Sequence, residues 1–384
     1  MKNSVNIARV IVGILFIFSG LVKANDPLGL SYKMQEFFEI WGLHKFNSWT
    51  LLMSVLMNAF EIIAGFALLL GWRVKLFSWL LLLLIVFFTF LTGYTYITGT
   101  PKNCGCFGDC LPITSKTSFL KDVALALLIG FLFKKQKHIK PIFSEKATTI
   151  AMLGITVLSF VFQWYTLNYL PVVDCLPYKK GNNIKEKMKM PVNFVPDSTV
   201  ISFVYKKDGK EIEFTADKFP ADFNKDTYQF VKRQDKVIRK GKNNEPPIKG
   251  FVLTGTSDTD STAYILGEEY SILLFCEKIS TAGTSWKDKF AEVCGIARSK
   301  NISCYIVTSE PAAATNAFEN TPLKSIPVFK CDFKAIQTAS RSHVTIYLLR
   351  NATVLSKYSG KNIKRMIPDI DKYKPDPPPP PASN

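Results

Sequence analysis

Apolar positions in this chain are bunched rather than scattered. Long runs occupy residues 5–22, 51–70, 74–97, 119–133 and 148–170, and almost none follow residue 171. A helix that crosses a hydrocarbon core of about 30 Å needs about 20 apolar residues, with about 17 tolerated. Four runs meet that length. The run at 119–133 meets it only by starting near Thr117 and carrying Lys121 and Asp122 at its outer end. The pattern predicts about five spans, an α-helical membrane bundle over residues 1–172 in contact with the lipid bilayer. The first run is too long for a signal peptide, and Lys23-Ala24-Asn25-Asp26 follows it directly.

Beyond residue 172 the periodicity changes. Residues 173–249 read as a linker with a small β element, a hairpin over 200–215 turning at Asp208-Gly209. Residues 250–370 alternate as an α/β domain: a strand at 270–276, a helix at 284–297 and a strand at 303–308. A hairpin of 344–349 and 354–358 around Arg350-Asn351 follows, then a helix at 361–367. Residues 371–384 form a Pro-rich tail, with Pro377 to Pro381 consecutive, that cannot enter a packed core.

Charge sets the orientation. Lys and Arg number 48 against 31 Asp and Glu, a formal net charge of +17. Lys2 and Arg9, then Arg73 and Lys75, then Lys134, Lys135, Lys137, Lys140 and Lys146 all fall on one side of a five-span bundle. Basic loops stay cytoplasmic. The N-terminus is therefore expected in the cytoplasm of a bacterial inner membrane, and the loops 24–50 and 98–116 and everything after 170 in the periplasm. No basic segment is interleaved with aromatics, so nucleic acid is not an expected partner.

Candidate chemistry gathers at the outer edge of the third span, in Asn103-Cys104-Gly105-Cys106-Phe107-Gly108-Asp109-Cys110, with Cys175 just past the fifth span on the same side. An oxidising compartment permits disulfides there. A Cys104–Cys106 bridge closes a very small ring, whereas Cys106–Cys110 closes a relaxed one. Thiols that can re-pair suit thiol–disulfide exchange; the same residues could instead form static braces that include Cys175. A metal site is disfavoured, because Cys-x-Cys is not zinc-ligand spacing and no His is near. Glu61, with Asn58, lies well inside the second span, where an ionisable group is costly. It reads either as a proton carrier beside the thiols or as half of an ion pair, with Lys23 bonded to Glu61 or to Asp122.

The stretch Phe18-Ser19-Gly20-Leu21-Val22-Lys23-Ala24, the Asn58…Glu61 helix, the cysteine loop and Asp174-Cys175-Leu176-Pro177-Tyr178 together resemble the MauE branch of the DoxX-like membrane proteins, in the longer form of Bacteroidota. That resemblance implies a four-helix bundle extended by one helix, and a link to methylamine utilisation through disulfide formation in an exported protein. It implies Cys104 and Cys106 as the exchanging pair. Comparison with the DsbB and vitamin K epoxide reductase bundles implies a quinone as electron sink, although no Cys-x-x-Cys of the DsbB type is present. Residues 250–370 resemble a thioredoxin-like domain. The place of its Cys-x-x-Cys reads Ile279-Ser280-Thr281-Ala282-Gly283-Thr284-Ser285, and its proline before the hairpin is replaced by Ser342-His343. Cys276, Cys294, Cys304 and Cys331 read as core residues or structural bridges, with Cys294–Cys304 a plausible pair.

Two functions follow. In one, Cys104, Cys106, Cys110 and Cys175 exchange disulfides with an exported client, Glu61 manages protons and a quinone accepts electrons. In the other, the chain is an accessory scaffold bound to other subunits of a membrane complex, and its redox-dead domain grips an exported partner. A transporter reading is weak, because there is a single deep carboxylate and no clear internal repeat.

Overall fold

The computed structural model describes residues 2–101, 105, 107–215, 217–224, 226–239, 241, 243–280 and 282–372. The first half is helical: α1 (Lys2–Asn25), α2 (Pro27–Ile40), α3 (Thr50–Leu70), α4 (Val74–Thr98), α5 (Ser115–Lys134) and α6 (Glu145–Tyr169). Four helical stretches, Asn3–Asn25, His44–Leu70, Val74–Thr98 and Glu145–Tyr169, are long and apolar enough to cross a membrane. The expected fifth span is the 20-residue α5, packed along α4 but outside that apolar set. Lys116, Lys121 and Asp122 in its first turns account for the difference.

The segment 24–50, expected as a loop, holds α2. Asp26 caps it, accepting from the Gly29 amide at 3.0 Å, and Pro27 occupies the first turn. An acidic cap followed by proline is a helix-start signal; the 14-residue length and mixed polarity hid it among the long runs.

Helices α1 and α3 meet through small residues. A Cβ on Gly65 would lie 2.8 Å from the Gly13 carbonyl oxygen and 3.0 Å from the Ile17 amide nitrogen. Without that Cβ the backbones approach closely, the usual device of helix pairs in lipid. Val12, Phe16, Ala64, Leu68, Leu81 and Ile129 fill the space around this contact.

After the short α7 (Ile184–Lys187), strands β1 (Ser198–Lys207), β2 (Lys210–Thr215) and β3 (Gln229–Arg239) form an antiparallel sheet in the order β2-β1-β3. The hairpin turns at Asp208 and Gly209, both at positive φ, as a two-residue connection requires. Strand β3 was not expected; its sequence is too polar for a run to stand out.

The α/β region adds α8 (Thr262–Ile265), β4 (Tyr270–Phe275), α9 (Lys287–Arg298), β5 (Ser303–Thr308), α10 (Pro311–Phe318), β6 (Val328–Lys330), α11 (Phe333–Ala339), β7 (Thr345–Arg350), β8 (Thr353–Ser359) and α12 (Ile367–Lys372). Its sheet runs β6-β5-β4-β7-β8, with β4, β5 and β6 parallel and the β7–β8 hairpin antiparallel. Both faces are buried. Ile272, Leu274, Ile306, Ile346 and Leu348 point to one core with α9, while Leu273, Phe275, Val307, Tyr347 and Leu349 point to the other with α11. This is the period-2 alternation of a strand covered on both sides. Tyr178 and Ile184, in the stretch read as linker, are fully buried in the second core beside Phe251. The chain therefore enters the α/β core almost as soon as it leaves α6.

Gly65→Ala is expected to force α1 and α3 apart and cost about 1–3 kcal/mol, the usual range for overpacking. Gly154→Ala meets open space and serves as the silent control. Thermal unfolding in detergent would measure both.

Candidate functional site

Three stretches converge where the bundle meets the α/β region: the α4–α5 connection, the exit of α6 and the turn after α11. Cys110 and Cys175 form a disulfide, S–S 1.97 Å and Cα–Cα 4.9 Å, that ties the first stretch to the second. Both sulfurs belong to the same tetrapeptide, Asp109-Cys110-Leu111-Pro112 and Asp174-Cys175-Leu176-Pro177. Cys104 and Cys106, the pair implied by resemblance, lie outside the described residues. The alternative Cys106–Cys110 bridge is not formed, because Cys110 is taken by Cys175. Gly105 and Gly108 both sit at positive φ, which lets the connection turn back on itself.

Each aspartate beside a bridged cysteine meets a base from the α/β region. Arg341 is only 5% exposed; its Nε donates to Asp26 Oδ2 at 2.8 Å and its Nη2 to Asp109 Oδ2 at 2.6 Å. Its Nη1 donates to the Gln337 carbonyl at 2.5 Å, and the guanidinium lies 5.3 Å from the Tyr32 ring centre. Lys357, also buried, donates to Asp174 Oδ2 at 3.0 Å. Asn25 closes the seam from the bundle side: its amide donates to the Val173 carbonyl at 2.8 Å and its oxygen accepts from the Val173 amide at 3.0 Å.

Titration at this seam is set by burial and charge together. Burial opposes ionisation of Arg341, but Asp26 and Asp109 outweigh it and hold the guanidinium above its ordinary value. For Asp26 burial wins over the attraction of Arg341, and its carboxyl is raised. Burial likewise lowers Lys357 against the pull of Asp174 and raises Tyr32. These are the signatures of charges held in a poorly hydrated place.

A cleft of about 520 Å³ opens beside the disulfide, lined by Cys175, Asp109, Tyr32, Lys33, Gln337 and Arg341. On the bundle side, a second pocket of about 100 Å³ is walled by Phe37, Trp41, Met57 and Phe88, with Lys23 and Thr92 among its polar residues. Gly105 reaches its wall.

Glu61 is fully buried and bonds Lys23, itself 3% exposed, so the ion-pair partner is Glu61 and not Asp122. Asp122 takes Lys121 at 2.5 Å and accepts from Thr92 at 3.0 Å. Asn58 donates to Gln163 at 3.1 Å, joining α3 to α6. Glu61 Oε2 has no hydrogen-bond partner among the described residues.

Cys276, Cys294 and Cys331 are buried free thiols and Cys304 is half-buried; the plausible Cys294–Cys304 bridge is not formed. Burial pushes Cys276 up to about 12 and Cys331 up to about 11, which keeps both protonated and inert. Sequence reading missed Arg341, Lys357, Asp109 and Asp174. The repeated tetrapeptide was the available signal for the two acids.

Arg341→Ala is expected to leave Asp26 buried without its counter-charge and to cost on the order of 3 kcal/mol, as loss of one partner of a buried pair does. Limited proteolysis of the detergent-solubilised chain should then release the α/β region at lower protease than in the parent. Unchanged proteolysis would remove Arg341 from the seam's energetics.

Residues 1–135 match the family described as methylamine utilisation protein MauE. Residues 199–240 match a family described as a domain of unknown function, DUF8463, which covers the three-stranded sheet. Protein TlpB of Flavobacterium psychrophilum is 25% identical over 157 residues, which are 40% of this chain and 41% of that relative. The chain thus aligns with less than half of TlpB's length. No solved structure matches. The MauE likeness covers residues 1–135, and four helices long and apolar enough to cross a membrane precede the sheet-bearing region.

Proposed function

We propose that this chain is a bacterial inner-membrane component of exported thiol–disulfide metabolism, passing the Cys110–Cys175 disulfide to an exported client. The observation that carries this reading is the position of that disulfide: it ties the cysteine loop to the α6 exit, and Cys175 lines an open cleft. A client thiolate attacks the Cys175 sulfur, a mixed disulfide forms, and Cys110 leaves as thiolate and takes up a proton. The second client thiol then loses its proton and attacks its own bridged sulfur, releasing Cys175. The client gains the disulfide and the chain keeps two thiols.

In this reading Cys104 and Cys106, as a second disulfide of the same loop, restore the Cys110–Cys175 bond by exchange. The distribution of basic loops over five spans supports an N-terminus in the cytoplasm and a cleft in the periplasm, where clients are oxidised. The apolar pocket beside Gly105 offers aromatic walls for the flat ring of a quinone, with Lys23 at its polar side as a donor for a carbonyl oxygen. A quinone bound there supplies a two-electron, two-proton sink. Glu61, buried against Lys23 with its Oε2 unbonded among the described residues, is the candidate proton relay at that depth. The α/β region, by resemblance thioredoxin-like and without cysteines at 279–285, positions the client rather than oxidising it. The sheet order supports that likeness, with its parallel strands beside an antiparallel hairpin.

The accessory-scaffold reading is favoured by a different observation, the anchoring of the α/β region by Arg341 and Lys357. In that case the disulfide is a brace.

Two measurements separate these readings. In Cys110→Ser the lone Cys175 thiol attacks the disulfide of oxidised client, the reverse of the transfer, and no Cys110 is present to complete it. Reducible adducts on Cys175 should therefore accumulate in membranes and vanish in Cys110→Ser/Cys175→Ser. Absence of adducts, together with a Cys110–Cys175 bond that withstands mild reductant, would leave only the brace. For Glu61, the double variant Lys23→Met/Glu61→Leu should fold better than Lys23→Met alone, since no buried charge is left unpaired. If Glu61 carries protons, exchange stays slow in that double variant; restored exchange would make the pair purely structural.

A further inference from the structure

Helix α9 lays Phe290, Val293 and Ala297 against the sheet and carries Cys294 on the same buried face. Strand β5 begins beside it, with Cys304 as its second residue. Both cysteines line one cavity of about 410 Å³, together with Arg298, Asn301, Tyr305 and Ser325. Cys304 is half-buried and Cys294 is 6% exposed. This cavity lies at the C-terminal end of α9, whereas the cysteine-free segment 279–285 lies before its N-terminal end. Cys276 and Cys331 line no part of it.

We propose that Cys294 and Cys304 are a second redox dithiol, which accepts a disulfide from small-molecule or peptide disulfides entering this cavity and closes as Cys294–Cys304. The inference does not depend on exchange at Cys110–Cys175. Cys304, the more accessible thiol, loses its proton to water and attacks one sulfur of the incoming disulfide. A mixed disulfide forms on Cys304, and the first thiolate leaves and is protonated. Cys294 then gives up its proton and attacks the Cys304 sulfur, forming Cys294–Cys304 and expelling the second thiol. Two protein thiols are oxidised and one disulfide is reduced to two thiols. The order follows from environment: burial, reinforced by the neighbouring Cys304 thiol, holds the Cys294 thiol well above its ordinary value. Such a thiol is a poor first nucleophile and reacts only when its target is already in contact.

The test uses the full chain in detergent, incubated with glutathione disulfide, alkylated and cut with trypsin. Arg298 and Lys300 lie between the two cysteines, so cleavage puts each on its own peptide and a bridge appears as a linked pair. The expected result is complete loss of alkylation at both, with a linked peptide that dithiothreitol separates. Cys276 and Cys331 stay unmodified until the protein is denatured. Cys294→Ser should stop the reaction as a glutathione adduct on Cys304, and Cys304→Ser should leave Cys294 free. The proposal is overturned if Cys294 and Cys304 are both alkylated after oxidant in a chain whose Cys110–Cys175 bond is intact. It is equally overturned if Cys294→Ser gives no adduct on Cys304.

Discussion

Arg341 can be buried only because two carboxylates come to meet it. A guanidinium taken out of water costs several kcal/mol unless paired and hydrogen-bonded, and here Asp26 and Asp109 fill that need from two different parts of the bundle. The constraint is geometric as much as energetic. Asp26 must cap α2, the cysteine connection must fold over it, and the turn after α11 must sit above both. The docked arrangement, the cleft beside Cys175 and the route of the chain out of α6 all depend on this one cation being satisfied.

The membrane half was largely legible because lipid imposes a crude requirement, length without charge, that a run of residues displays directly. Helix α2 was not, since an amphipathic helix at a membrane edge needs only a modest apolar face. Strand β3 failed for a related reason: an exposed strand has no obligation to alternate. Strands β4, β5 and β7 were readable as short apolar segments, while their burial on both faces emerged only from the packing of α9 and α11. Tyr178 was not, because a single aromatic in a polar stretch gives no periodic signal, yet it lies in the core beside Phe251 and Tyr347.

At the site, the thiols were found by type and the charges were missed by distance. Cysteines announce themselves in any sequence. Arg341 is one of many basic residues, and nothing in its neighbourhood marks it; its partners are hundreds of positions away. The twofold occurrence of Asp-Cys-Leu-Pro was different, since both copies are visible and each copy supplies one sulfur and one acid. Lys23–Glu61 lay between these cases: the depth of Glu61 was readable, while the choice of Lys23 for Glu61 over Asp122 depended on helix packing.

The disulfide also fixes the length of a leash. From Cys175 to Tyr178, where the polypeptide enters the α/β core, three residues extend at most about 10 Å. With the sulfurs parted and the clamps open, the tether starts instead at Tyr169, the end of α6. Nine residues then reach about 30 Å. Bonded, the outer domain is confined to a shell only a few side chains thick above the membrane, and anything it delivers must arrive sideways. Unbonded, it commands a hemisphere roughly three times as wide.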